Sequence, residues 1–369
     1  MYWGLGLQAQ QERAISTLRS LGGWAMTKIV SLYNNKGGVA KTTTLFNMSV
    51  LLSQRGKKVL LVDCDPQCNC TELFFCSSED FEDPEVPLPG TSIYEALRPR
   101  FDGDASRVDA QKVSLSESSL YDNLFILRGD INFSRAEQYF SNAIAQAVTE
   151  SIHDKNTYAV MSRLLRDLGA YHGFDYILCD VGPSAGSITR MTILSCDGIF
   201  VPTAPDRFSF QAVQGMGAIM GEWLQRHEMI TSTFAPYGID ASFSTPAFYG
   251  AIVNNYKIHK VGKMKGSYLK WEAMIRDSFI ENLLSGDGRK LQVSNPELMK
   301  NPFVASIRDV GPTAPVAQIV GKAIFDIAQK DTAHATPSGD FYRGSVWAGW
   351  VERMAEYKRQ IESIVEAIV

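Results

Sequence analysis

No apolar run in this 369-residue chain approaches the ~18 residues that a membrane-crossing helix needs. The N-terminus lacks a basic stretch followed by an apolar core, which argues against secretion. Neither sign of charge dominates, since 36 Lys and Arg face 40 Asp and Glu for a formal net charge of −4. That balance argues against attraction of the whole protein to nucleic acid, while leaving room for a local basic patch. The cysteines include no C-x2-C pair: Cys64, Cys68, Cys70 and Cys76 are clustered at other spacings, and Cys179 and Cys196 lie far along the chain. Metal and iron–sulfur sites do not use these spacings, so small residues in a reduced cytoplasm are the expectation. What remains is an ordinary globular composition, 45% hydrophobic and 21% charged, long enough for two domains or one α/β domain with insertions.

Glycine is also missing where a standard phosphate loop, G-x-x-x-x-G-K-[ST], requires it, because Asn35 and Ala40 stand there. The segment Tyr33-Asn-Asn-Lys-Gly-Gly-Val-Ala-Lys-Thr-Thr-Thr-Leu45 fits K-G-G-x-x-K-[ST] instead, between an apolar run, Ile29 to Leu32, and a helical stretch, Thr42 to Gln54. A strand, a glycine turn and a helix start aim successive backbone N–H groups at one point, where the helix adds about half a positive charge. Lys41 supplies a full charge and Thr42 a hydroxyl suited to Mg2+. Ala40 narrows the turn and disfavours a positive φ.

The run Lys57 to Asp63 has basic residues, then four apolar ones, then a carboxylate, as a fully buried parallel strand does when its C-terminal end reaches a site. Asp63-Cys-Asp-Pro-Gln-Cys-Asn69 follows, and Pro66 stops the strand so that the chain turns back. Phe174 to Asp180 repeats the pattern before Val181-Gly182-Pro183, and a strand-end Asp180 beside a phosphate loop suits Mg2+ held through water. Capping of the next helix is the competing role for Asp180.

Together these residues resemble the deviant-Walker ATPases of the ParA/MinD family, over about residues 26–76 and 121–330, with ParA-like partition ATPases nearest in kind. The resemblance implies a mostly parallel, doubly wound P-loop NTPase sheet (an α/β fold) with helices on both faces. It implies nucleotide contacts from Lys36, Gly37, Gly38, Val39, Ala40, Lys41, Thr42, Thr43 and Gly182, the last through a backbone N–H near the γ-phosphate. Asn254 would meet the adenine edge. Asp65 would orient the attacking water, Asp63 would support Mg2+ alongside Thr42 and Asp180, and Lys36, Lys41 and Asp65 would carry catalysis. Relatives commonly read D-T-P-P where this chain has Asp180 to Pro183, a mild departure.

Residues 1–25, with Ala14, Ile15, Leu18 and Leu21 along one side of a short helix, are either an added docking helix or an extended start. From Ser77 to Gly90 five acids and three prolines occur with no basic residue, an exposed loop within an expected insertion at about 77–120. A helical turn over 92–97 closes at Arg98 to Arg100. Further helices are expected over 134–148, 158–168, 210–226 and 315–330, with strands at 124–127, 197–205, 248–253 and 303–307. Lys257, Lys260, Lys263, Lys265 and Lys270 fall within fourteen residues without an acid. They form either a solvated loop face or a patch for non-specific DNA binding. After a linker from residue 331, Trp350, Met354, Tyr357, Ile361, Ile364 and Ile368 make an apolar helix seam. Its polar face mixes acids with bases, which favours docking on protein over anionic lipid.

The expected activity is slow ATP hydrolysis with Mg2+ in a homodimer of the ATP state, in which each Lys36 serves the opposite nucleotide. The expected partners are non-specific DNA and an activating, ParB-like adaptor, in a cytoplasmic, nucleoid-associated protein. The alternatives are a MinD-like membrane-associated positioning ATPase and a metal-cluster carrier using Cys64, Cys68 and Cys70.

Overall fold

The computed structural model describes residues 26–368 apart from 78–80, 82, 84, 105–107, 241–242, 244, 257–265 and 286–290. The N-terminal segment 1–25 and four lysines of the basic run, Lys257, Lys260, Lys263 and Lys265, lie outside the described residues.

Eight strands form one sheet in the order β3-β4-β2-β5-β1-β6-β7-β8. They are β1 (Lys28–Leu32), β2 (Val59–Asp63), β3 (Ser116–Glu117), β4 (Leu124–Leu127), β5 (Tyr176–Asp180), β6 (Gly198–Thr203), β7 (Ala247–Tyr256) and β8 (Phe303–Arg308). All neighbours pair in parallel except β3 with β4. The central strands read as unbroken apolar runs because both their faces are covered. In β1, Ile29 joins a core with Leu60, Leu164 and Met216, while Val30 and Leu32 join the opposite core with Leu45, Leu51 and Ile361. Asp197 anchors β6 to β1 by accepting the Ile29 N–H and pairing with Arg166.

The helices are α1 (Lys41–Gln54), α2 (Asn69–Phe75), α3 (Ile93–Phe101), α4 (Ala136–Gln146), α5 (Ile152–His172), α6 (Ser187–Ile193), α7 (Arg207–Thr231), α8 (Gly266–Ser278), α9 (Thr313–Val320) and α10 (Gly344–Glu366). Four differ from the sequence expectation for identifiable reasons. The turn over 92–97 is a full helix, α3, opened by a Ser92–Glu95 capping box. It continues through Pro99 because buried Arg100 pins its last turn to α5, donating to Thr157 Oγ1 and the His153 carbonyl. Much of the expected insertion is therefore built into the fold: Ile93, Leu97 and Phe101 are buried, and β3 covers β4. In α5 the helix passes through Gly169, which packs against Thr27, and ends at Gly173 in the left-handed region. The helix expected over 315–330 stops at Val320, where left-handed Gly321 gives way to 3-10 turns. The 210–226 helix extends to Arg207–Thr231 because Asp206 caps it.

The seam of α10 is spent on the protein's own body. Trp350, Met354, Tyr357, Ile361, Ile364 and Ile368 are all buried in the cluster shared with α1 and β8. Gln360 of α10 accepts the outward-facing Ser306 N–H of edge strand β8. Among the described residues no helix is long and apolar enough to cross a membrane. Cys64 and Cys70 are buried in opposite cores, on the two faces of the sheet, and Cys68 is half-buried between them in sequence. Among the described residues no group of three or more His, Cys, Asp or Glu side chains is placed to hold a metal ion.

Candidate nucleotide site

The loop after β1 stands at the C-terminal edge of the sheet, flanked by the ends of β2, β5 and β6, where open α/β sheets bind ligands. Its own side chains hold it there. Asn34 donates to the Pro202 carbonyl of β6 and accepts the Lys36 N–H, and Asn254 of β7 donates to the Val39 carbonyl. Gly38 has φ 72° and Ala40 φ 59°, so the turn does place an alanine in the left-handed region. Ala40 is the N-cap of α1 and offers no side-chain acceptor. The first-turn N–H groups of α1, at Lys41, Thr42 and Thr43, are consequently left for an anion.

A cleft of about 520 Å3 lies over this loop, lined also by Asp65, Glu72, Val181 and Pro183. Lys41 is buried at its floor, donating to the Asn34 carbonyl at 3.2 Å. Burial lowers its pKa, opposed by Asp180 and Asp65. Thr42 Oγ1 donates to Asp180 Oδ2 at 2.7 Å, and Asp180 Oδ1 is buried without a partner. Burial, reinforced by neighbouring Asp63, pushes the Asp180 carboxyl up to about 8. An unpartnered carboxylate oxygen next to a threonine hydroxyl fits a hard divalent cation such as Mg2+, which removes the penalty for the charge. Asp65 lines the cleft, and a Cβ on Gly182 would stand 3.1 Å from its Oδ1. Lys41, Thr42, Asp180, Asp65 and Gly182 therefore come together as the sequence suggests.

Three other residues do not take the expected positions. Asp63 is fully buried, with Oδ2 accepting the Thr71 N–H and hydroxyl and Oδ1 accepting the Asp65 N–H. Burial pushes its carboxyl up to about 6 against these bonds. It shapes the turn that carries Asp65 and does not line the cleft. Asn254 is also buried: its N–H braces Val39 and its Oδ1 is sealed from solvent, so this rotamer offers nothing to a base. Lys36 does not project from the loop. Its Nζ lies 2.7 and 2.9 Å from the Asp206 carboxylate oxygens and 3.0 Å from Ser209 Oγ, at the start of α7. Burial raises the Asp206 pKa, but Lys36 and the Ser209 N–H outweigh it and the net shift is downward. Asp206 and Ser209 are absent from a motif-based reading. The pattern D-x-x-S before an apolar-periodic run marks them only as a helix cap. Thr71 escapes notice in the same way. Of the basic run, Lys270 is exposed on α8.

A family model described as an AAA domain matches residues 27–229, more than half of the chain. The sporulation initiation inhibitor protein Soj of Bacillus subtilis is 28% identical over 205 residues, 55% of this chain and 68% of that protein. The chromosome partitioning protein ParA of Caulobacter vibrioides is 27% identical over 194 residues, 52% of this chain and 61% of its own length. A solved structure of a McdA variant from Cyanothece in complex with ATP aligns over 93% of this chain and 96% of its own, at a TM-score of 0.58 and 18% identity. At 18% identity the third likeness concerns the fold alone.

Proposed function

This chain belongs to the AAA-domain family of ParA/MinD-type P-loop ATPases, and from that premise we propose that it is an ATP-driven dimerising switch that partitions or positions DNA or another cargo. The observation that carries the reading is the division of labour between two lysines of one loop. Lys41 lies at the floor of the cleft, beside Thr42 and Asp180, while Lys36 stands outside it on Asp206 and Ser209. That separation supports a reading in which one charge serves the protein's own triphosphate and the other, once released from Asp206, serves another.

In this mechanism the first-turn N–H groups of α1 and Lys41 receive the phosphates, and Thr42 with Asp180 would hold the metal. Mg2+ held there would supply neutralisation of the charge that phosphoryl transfer develops. Asp65, against Gly182, orients the attacking water. Lys36 leaves Asp206 when two protomers close face to face and places its charge on the other protomer's phosphates. Charge placement of this kind is the main source of phosphoryl-transfer catalysis. Turnover then releases the pair. An activating adaptor would speed that step, and the basic run containing Lys270 would hold DNA without sequence preference.

Size-exclusion chromatography of the hydrolysis-deficient Asp65→Ala protein, with and without Mg·ATP and with DNA present, tests the reading. A dimer that appears only with ATP and disappears in Asp65→Ala/Lys36→Ala is expected. Asp65→Ala/Asp206→Ala, with Lys36 freed, should dimerise at lower protein concentration. A monomer under all conditions would sink the proposal.

A further inference from the structure

Helix α6 begins seven residues after Asp180, at the end of the turn that carries Gly182 and Pro183. Its N-cap is Gly186, which has no side chain, and its first turn contains no acid. The cap comes from a different element. Glu137, in the first turn of α4, accepts the Ser187 N–H through Oε1 and the Ile188 N–H through Oε2 at 3.1 Å. A bidentate carboxylate on two first-turn amides is a charge-assisted contact, and it opposes the positive end of the helix. The fit is close: a Cβ on Gly186 would stand 2.5 Å from Glu137 Oε1.

The segment that delivers Glu137 also holds the other side of the cleft. Gly129, directly after β4, donates its N–H to Thr71 Oγ1 at 2.7 Å, and Thr71 in turn donates to Asp63. Asp63 accepts the N–H of Asp65. Between these two contacts the chain is stiffened by Asp130, which accepts the Ser92 hydroxyl and the Asn132 N–H, and by a 3-10 turn over Ile131–Arg135. One nine-residue strut, 129–137, therefore ends on the Asp65 turn at one side and on the Gly182 turn at the other.

We propose that Glu137 is a positioning residue for ATP hydrolysis: through α6 it fixes the Gly182 turn against Asp65, and the 129–137 strut keeps the two turns in register. The inference rests on the ATPase reading above. Glu137 is not among the residues that line the cleft, so its loss should slow turnover while leaving nucleotide capture by the α1 loop in place.

The test compares steady-state Mg·ATP hydrolysis and amide hydrogen exchange in the parent, Glu137→Ala, Glu137→Gln, Gly186→Ala and the Glu137→Ala/Gly186→Ala double variant. Glu137→Ala should lower kcat by on the order of ten- to a hundredfold with KM changed less than about threefold, as expected for a misplaced catalytic turn. Exchange at Ser187 and Ile188 should accelerate by about tenfold or more without nucleotide, from the loss of capping bonds. Glu137→Gln keeps one acceptor and should recover most of kcat. Gly186→Ala displaces the carboxylate from the opposite side, so it should reproduce the defect, and the double variant should be no worse than either single one. Should Glu137→Ala fail to fold, Gly186→Ala alone decides. Unchanged exchange and kcat, or additive single effects, would overturn the inference. A parent that never hydrolyses ATP would instead remove the ATPase reading, and exchange at Ser187 and Ile188 would then decide whether the clamp exists.

Discussion

At the scale of the residue, the site is shaped by what each side chain is prevented from doing. Ala40 carries φ 59°, a conformation that costs an L-residue roughly 1–2 kcal/mol. Because its methyl group cannot accept hydrogen bonds, the α1 amides that a Ser or Asp cap would occupy are kept open. We expect Ala40→Gly to bind nucleotide more tightly by less than about thirtyfold, the most that relief of this strain supplies. A fluorescent-ATP titration of both proteins measures it. A hundredfold gain would exceed the strain and show that the native loop is held away from its binding shape. Lys36 is restrained in a different way: its charge is paired within its own protomer, in a partly exposed contact with Asp206 worth no more than about 1 kcal/mol. A restraint that weak can be undone by closure of a pair.

At the scale of the element, the legible and the illegible parts of the fold divide by distance along the chain. The loop and the carboxylates Asp63, Asp65 and Asp180 are legible because a buried parallel strand is an apolar run, and a charge at its end is conspicuous. The contacts that aim them are not local: Lys36 meets Asp206 across 170 positions, and Glu137 meets Ser187 across 50. No window of sequence carries such pairs, which exist only once the sheet order has brought β1, β4, β5 and β6 together. The same limit hides the contacts of Asp63, whose carboxylate accepts from Thr71, and of Asn254, whose amide N–H braces Val39. Packing of α5 on α7 leads to a prediction of its own. His227 on α7 shares a 2.8 Å hydrogen bond with Tyr158 on α5, and burial, then the nearby Arg190, lowers its pKa from 6.5 to about 4. Between pH 4 and 6.5 the unfolded chain binds the proton that the folded one refuses, so this group's contribution to stability falls as pH drops through that window. The loss amounts to about 3 kcal/mol at most. Urea unfolding of the parent and His227→Phe at pH 4.5 and 7 should show a smaller pH difference in the variant. Equal differences would mean that His227 titrates normally.

At the scale of the whole molecule, α10 is part of the core: its seam completes the cluster that also holds α1 and β8. Ile361 is fully buried there, so Ile361→Ala should lower stability by roughly 2–5 kcal/mol in urea unfolding. A loss under about 1 kcal/mol would show a loosely held tail. The same helix has a second effect, through Gln360, which occupies an outward-facing N–H of β8, while the two-residue β3 is the outermost strand at the opposite margin. Among the described residues, one margin of the sheet is therefore very short and the other already has an outward N–H engaged, both of which discourage pairing with a further strand. An edge-to-edge fibre of copies would have to start on a margin that is either two residues long or already bridged by its own helix.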